Sequence, residues 1–317
     1  MGEQNTVLAA TVVGVLFIAT LVGKVLSRQT QLGLNPAAIE AYNSRVRSWW
    51  IICCLLAVAF FSRGATVALF GFISFWALRE FITLTPTRLS DHRALFWVFF
   101  FFTPLQYVLV GQNAHEWFSI LIPVFAFLFI PMRIAIAGDP KRFLERASKI
   151  QAGLLVCVYC LSYAPALLYL NPRGAGLTRS DNARLLFFLV TLSLLSEAIQ
   201  FAWSRLYGSH VIAPEINQSR TWEGFLGSAV TTALIGVTLY EIGATPFTVF
   251  WHAALVSMLI AVMGFAGAMT LSAVKRDRRV KDYGTLIEGH GGVLDRIDAL
   301  CFAAPVFYYT TRALLQT

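Results

Sequence analysis

The chain has 317 residues, of which 57% are hydrophobic and 13% charged, against roughly 25% charged in an average soluble domain. A water-soluble fold has too little interior to hide that much apolar surface, so the composition excludes one and indicates a chain dissolved in a bilayer. The net charge of +8 does not indicate nucleic acid, because Lys and Arg sit in the short gaps between apolar runs, as orientation signals do in membrane proteins.

Apolar runs separated by charged or Gly/Pro punctuation predict ten spans, at approximately 7–26, 49–61, 65–78, 94–110, 117–136, 150–170, 185–203, 225–242, 247–271 and 299–315. The first has no basic flank, Glu3 being the only charge before it, so it is expected to be retained rather than cleaved as a signal. Only Ser62, Arg63 and Gly64 separate the short second and third spans, which form either a tight hairpin or one bent helix. The expected fold is therefore all-α, a polytopic integral membrane protein of nine or ten transmembrane helices. Cys53, Cys54, Cys157, Cys160 and Cys301 all fall inside apolar runs. Although Cys157 and Cys160 have half-site spacing, no second pair or nearby His completes it, so packing is their expected role.

Positive charge sets the orientation. On the ten-helix reading, alternate loops carry Lys24, Arg28, Arg45 and Arg47, then Arg79, Arg88 and Arg93, then Lys141, Arg142, Arg146 and Lys149, and these are expected to be cytoplasmic. The loops around Gln112 and Gly243 carry no Lys or Arg, whereas the one with Arg173, Arg179 and Arg184 is an exception. Segments 204–224 and 272–298, the most polar in the chain, then fall on the cytoplasmic side and both termini outside.

The segment from Ser272 to Asp298 mixes both signs of charge with glycine. Lys275, Arg276, Arg278, Arg279 and Lys281 form a cationic stretch suited to phosphates, and Asp282, Asp295 and Asp298 supply hard oxygen ligands. Gly289, Gly291 and Gly292 flank His290 and leave bare backbone whose amides can approach an anionic oxygen. Asp295 and Asp298 are three apart, on one helical face where the last span begins, and can share an ion. Each feature has a plainer reading, as a helix cap or as a positive anchor for lipid headgroups. Gathered in one membrane loop, they favour a metal and phosphate site. His290 reads as a phosphate or turn residue rather than a zinc ligand, since His210 and His252 lie in other segments.

The order Ser272, Lys275-Arg276, Lys281-Asp282, His290-Gly291-Gly292, Asp295-Arg296, Asp298 resembles the signature of the phosphatidate cytidylyltransferase family. A second segment, Pro214 to Gly224, is similar to that family's Ser-Pro-x-Lys-Thr-x-Glu-Gly loop, keeping Thr221, Glu223 and Gly224 but holding Asn217, Gln218 and Arg220 where the family has Ser, Pro and Lys. Ser196-Glu197 stands where the family carries Gly-Asp, and Arg79-Glu80 is a weaker echo. The resemblance covers the C-terminal third. It implies a division into N-terminal transmembrane helices, 1–180, and a catalytic transmembrane region, 181–317.

The resemblance further implies attack by the phosphate of phosphatidate on the α-phosphorus of CTP, releasing pyrophosphate and CDP-diacylglycerol. Asp282, Asp295, Asp298 and Glu197 or Glu223 are then expected to hold one or two magnesium ions, with room for a monovalent cation such as potassium. Arg220, Lys275, Lys281 and Arg296 contact phosphates, while Ser219, Thr221, Arg276, His290, Gly291 and Gly292 line the substrate. A homodimer in the plasma or inner membrane, its site facing the cytoplasm, is likewise implied. A cytidylyltransferase for another lipid phosphate, a CTP-dependent lipid kinase and a non-catalytic lipid-binding relative remain the alternatives.

Overall fold

The structure, a computed structural model, describes residues 62–84, 87–171, 176–280, 282–284 and 291–316, together with Phe17, Thr20, Leu21 and Lys24. The chain divides into two compact units, Met1–Ser62 and Arg63–Thr317. In the first, Phe17, Thr20, Leu21 and Lys24 are helical, and the expected span 49–61 lies outside the described residues. The second contains α1 (Arg63–Thr83), α2 (Leu89–Gly111), α3 (His115–Ala135), α4 (Phe143–Tyr169), α5 (Arg179–Tyr207), α6 (Trp222–Glu241) and α7 (Phe250–Asp277), each long and apolar enough to cross a bilayer. An eighth helix, α8 (Leu294–Leu314), carries Asp295, Arg296 and Asp298 near its start and is less apolar for that reason. These eight correspond to the last eight spans read from the apolar runs. The protein is an all-α polytopic membrane protein. Between α5 and α6 a short hairpin, β1 (Val211–Ala213) antiparallel to β2 (Asn217–Thr221), is the only strand pairing among the described residues.

The helices are apolar on their outward faces as well as inward. On α6, Leu226, Val230 and Leu234 recur every four residues and are all about 60% exposed, at 59%, 61% and 62%, a stripe that water would not tolerate and hydrocarbon would. Because lipid is as apolar as leucine, burial alone does not hold such helices together, and close backbone approach and polar bonds must contribute. At Gly267 of α7, a Cβ would lie 2.5 Å from the Asp298 carbonyl oxygen of α8. Ser228 Oγ of α6 donates to the Ser196 carbonyl of α5 at 2.8 Å, and Gln106 Nε2 of α2 donates to Phe118 O and Ser162 Oγ at 2.9 and 3.0 Å. Wide, π-type turns interrupt α2 at Val98–Phe102 and α3 at Leu121–Ala126. Each lies at or beside a proline, Pro104 and Pro123, where the missing N–H prevents a regular ladder. Cys157 and Cys301 are buried and unbridged, in keeping with a packing role.

With 29 and 28 residues, α5 and α7 extend about 42–44 Å, against roughly 30 Å of hydrocarbon. Their polar ends therefore clear the lipid. At the same end of the bundle, Arg146 of α4 forms an ion pair with Asp91 of α2 at 3.0 Å, with the two side chains 5% and 2% exposed. Arg146 also meets Asp139 Oδ2 at 2.9 Å and donates to the Lys141 carbonyl at 2.8 Å, while Arg88 pairs with Asp139 at 2.9 Å. Hydrogen bonds from Arg88 and from the Lys141 backbone hold the Asp139 carboxyl below the ordinary carboxylate range. Arg278, just beyond α7, reaches Glu145 of α4 at 3.7 Å. Of the basic loops expected on one side of the membrane, those with Arg88 and with Lys141, Arg142 and Arg146 thus share one end of the helix bundle, while Arg28, Arg45 and Arg47 lie outside the described residues. Replacing Arg146 by Met leaves Asp91 buried and unpaired and should cost about 3–5 kcal/mol. Arg88→Ala, at the exposed end of the network, should cost under about 1 kcal/mol. Denaturant unfolding in detergent micelles checks both.

Candidate active site

Glu80 lies in the last turn of α1, where a negative charge opposes that helix's dipole. It is 4% exposed. Its carboxylate instead faces the start of α8, where Val293 N–H donates to Oε1 at 3.0 Å and Leu294 N–H to Oε2 at 2.9 Å. Two first-turn amides that no intrahelical carbonyl can satisfy are thereby capped from a distant part of the chain. The carboxylate needs glycine around it. A Cβ on Gly292 would come within 2.4 Å of Oε2, and one on Gly284 within 2.8 Å of Oε1.

In the first turn of α8, Asp295 is similarly occupied. Lys275 Nζ donates to Oδ1 at 2.8 Å, and the backbone amides of Tyr283 and Gly292 donate to Oδ2 at 2.8 and 2.9 Å. The Gly292 amide is therefore turned toward the protein's own carboxylate. Tyr283 stacks on Phe81 of α1, and its hydroxyl, held protonated by burial, donates to Leu271 O of α7 at 2.8 Å. Lys275 passes over the Tyr283 ring at 5.5 Å. Beside this lock, Gly291 adopts φ +81° and brings its backbone against two acids: a Cβ there would lie 2.9 Å from Asp295 Oδ2 and 3.3 Å from Asp282 Oδ1. Asp282 itself is exposed.

Deeper in the bundle, α5 and α8 bring Glu197 and Asp298 within electrostatic reach of each other. Asp298 is 8% exposed and accepts the Ala299 amide at 2.7 Å. Arg220 Nη2, from β2, meets Glu197 Oε1 at 3.4 Å, with side chains 15% and 27% exposed. Arg296 and Lys275 act electrostatically on Glu197 as well, and Lys275 and Arg220 on Asp298. A buried and a half-buried carboxylate thus share one cluster with three cations, whose charge makes the acids tolerable there.

The hairpin residues divide differently. Thr221 caps α6, its Oγ1 accepting the Gly224 amide at 3.1 Å and donating to Ser204 Oγ at 3.1 Å. Glu223 accepts the Ser209 and His210 amides at 3.2 Å and meets His210 Nδ1 at 2.6 Å, which commits it to the hairpin's base rather than to the acidic pair. Arg276 donates to Ile216 O at 3.1 Å and Asn217 to Ser272 Oγ at 3.3 Å, so both tie the hairpin to α7. Ser219 turns its hydroxyl onto Asn217 Oδ1 at 2.7 Å. Lys281 and His290 lie outside the described residues. Among the described residues no three Asp, Glu, His or Cys side chains gather as a ready-made metal-ligand group. Glu197 and Asp298, with the accessible Asp282, are the acids not already held by several donors.

Glu80 carries more of this arrangement than its position as a faint echo suggests. The signal was a lone carboxylate within an apolar helix, which is costly without a partner. Glu80→Ala should uncap α8, destabilising the protein by about 1–3 kcal/mol. Amide exchange at Val293 and Leu294, followed by mass spectrometry, should accelerate first.

Comparison with known proteins bears on this geometry. Residues 43–314 match the model of the cytidylyltransferase family. The chain is 35% identical over 307 residues to the uncharacterized protein YnbB of Escherichia coli K12, covering 96% of this chain and 97% of that one. It is 34% identical over 176 residues to a phosphatidate cytidylyltransferase of Mycobacterium leprae, covering 55% and 53%. With a phosphatidate cytidylyltransferase of Staphylococcus haemolyticus it shares 25% identity over 247 residues, covering 77% and 88%. A membrane bundle with a phosphate-suited cluster, matched over most of its length by one family, leaves a single assignment: the chain belongs to the cytidylyltransferase family.

Proposed function

We propose that the protein transfers the cytidylyl group of CTP to phosphatidate, forming CDP-diacylglycerol and releasing pyrophosphate. The observation that carries this reading is the pairing of half-buried Glu197 with Arg220 beside buried Asp298, with Lys275 and Arg296 in electrostatic reach, at one polar end of a lipid-embedded bundle. The names of the mycobacterial and staphylococcal relatives support the choice of substrate.

The reaction brings together two groups that repel each other, the phosphate of the lipid and the triphosphate of the nucleotide. The nucleophile is already an anion, so no covalent intermediate is needed and the task is positioning and charge neutralisation. Arg220 and Lys275 are each held by a carboxylate in advance, Glu197 and Asp295, which keeps both cations aimed and limits reorganisation when phosphate arrives. The Arg220 guanidinium has five donors in a planar fork, more than one carboxylate uses, so it can address phosphate oxygens while keeping its partner. Arg296, on the helix that Glu80 docks, completes the cationic wall. Asp282 stands exposed at the rim beside Gly291.

The acids fit magnesium, which takes one or two protein carboxylates and draws its remaining oxygens from substrate phosphates and water. Glu197 and Asp298 would hold it. Once bound it supplies neutralisation of the charge that builds on the departing pyrophosphate. The cationic loops at this end, with Arg88, Lys141, Arg142 and Arg146, support a cytoplasmic orientation, where CTP is found. A second reading keeps the chemistry and changes the lipid phosphate. It is favoured by Glu197, whose longer arm replaces the aspartate of the resembled motif.

Three outcomes follow. Asp298→Asn should reduce pyrophosphate release from CTP and phosphatidate by at least about 10²-fold while the protein elutes as a folded species. With CTP labelled at the α-phosphate, label should enter the lipid product; label entering only from the γ-phosphate would identify a kinase instead. A cysteine placed at Ser219 in intact cells should react with an impermeant thiol reagent only after the inner face is opened to it.

A further inference from the structure

Lys275 lies in the last turn of α7, and an ammonium on a four-carbon stem has many positions open to it. Here two groups restrict it. Asp295 Oδ1 accepts from its Nζ at 2.8 Å, and the centroid of the Tyr283 ring lies 5.5 Å from Nζ, with the lysine side chain 19% exposed. A cation at that distance over an aromatic face is attracted by the ring's electron density, the more so where water is largely excluded. Tyr283 is not one of the signature positions, which pass on either side of it as Lys281-Asp282 and His290-Gly291-Gly292.

The ring is itself fixed by three helices. It is buried and stacks on Phe81 of α1 with 16° between the planes. Its backbone amide donates to Asp295 Oδ2 of α8 at 2.8 Å, so Tyr283 and Lys275 share one carboxylate. Its hydroxyl donates to Leu271 O of α7 at 2.8 Å, and in a regular helix that carbonyl also accepts the Lys275 amide. Tyr283 thereby meets the turn that carries Lys275 with its hydroxyl and the ammonium with its ring. The hydroxyl is no acid or base for the reaction, because its proton is committed to a carbonyl and burial holds it there.

We infer that Tyr283 is a positioning residue for the transfer, its ring holding the Lys275 ammonium in place for a substrate phosphate, a role that rests on the CTP reading above. An ammonium has three donors, and Asp295 takes one. The others remain for phosphate oxygens, and a cation already in place needs little reorganisation when the substrate arrives. The charge distribution of the ring is then what matters, beyond its volume: an aliphatic side chain would fill the same space between α1 and α7 without holding Lys275.

The test places phenylalanine and then its mono-, di- and trifluorinated forms at position 283 of the full-length protein, because each fluorine weakens the negative face of the ring while changing its size little. In detergent with magnesium, transfer of α-label from CTP to lipid should fall about tenfold between Tyr283→Phe and the trifluorinated form. Equilibrium binding of inorganic triphosphate should weaken in the same order, with the thermal midpoint of the unliganded protein unchanged. Built on Lys275→Met, the same series should leave triphosphate binding flat. A slope that survives in Lys275→Met overturns the inference, as does a thermal midpoint that falls with each fluorine, which marks the ring as packing alone. If label moves into lipid at one rate throughout the series, the transfer reading stands and the role of Tyr283 falls. If wild-type protein moves no label but triphosphate binding follows the series, the transfer reading falls while the ring's hold on a phosphate-binding Lys275 stands. Protein that neither moves label nor binds triphosphate removes both.

Discussion

A helix begins with amide groups that its own backbone cannot satisfy, and in this protein the first amides of α8 are satisfied by Glu80, 213 and 214 positions earlier in the chain. That bond is the constraint on which the site depends. Asp295, Arg296 and Asp298 project from the first turns of α8, so their placement depends on where that helix starts and how it is rotated. Gly284 and Gly292 make room for the carboxylate, and Tyr283 fastens the intervening loop to α1 and α7. The start of α8 is therefore held from three directions, by α1, α7 and the loop before it.

The surrounding bundle obeys the bilayer rather than water. Apolar residues face outward as freely as inward, so burial alone cannot decide which helix packs on which. Close approach at Gly267 and polar bonds such as Ser228 to Ser196 join α5, α6, α7 and α8, the four helices that bring Glu197, Lys275 and Asp298 together. At the polar end, the Arg146–Asp91 pair and its neighbours tie the loops of the earlier helices into one platform.

Within the site, charge is balanced before any substrate arrives. Lys275 with Asp295 and Arg220 with Glu197 are paired cations, and the acidic pair of Glu197 and Asp298 sits among them. On the proposed reaction, polyanionic substrates would share donors already aimed at them. This favours a phosphate transfer carried by electrostatics over one carried by a covalent nucleophile.

Much of this was legible in the residue order. The apolar runs located the eight helices from Arg63 onward, because hydrocarbon thickness imposes a length that can be counted along a chain. The signature from Ser272 to Asp298 and the loop ending at Gly224 pointed to the family, because phosphate and metal chemistry draws on few residue types. The division of labour among those residues was not legible. Thr221, Glu223, Arg276 and Asp295 matched the pattern equally well, yet the structure commits them to caps and ties, while Glu80 and Tyr283 carried little or no motif signal. Which carboxylate is spent on a backbone amide, and which ring lies against a lysine, depends on helices meeting across long separations in the chain. Composition and spacing record what a residue can bond to; only the packed bundle decides what lies within 3 Å of it.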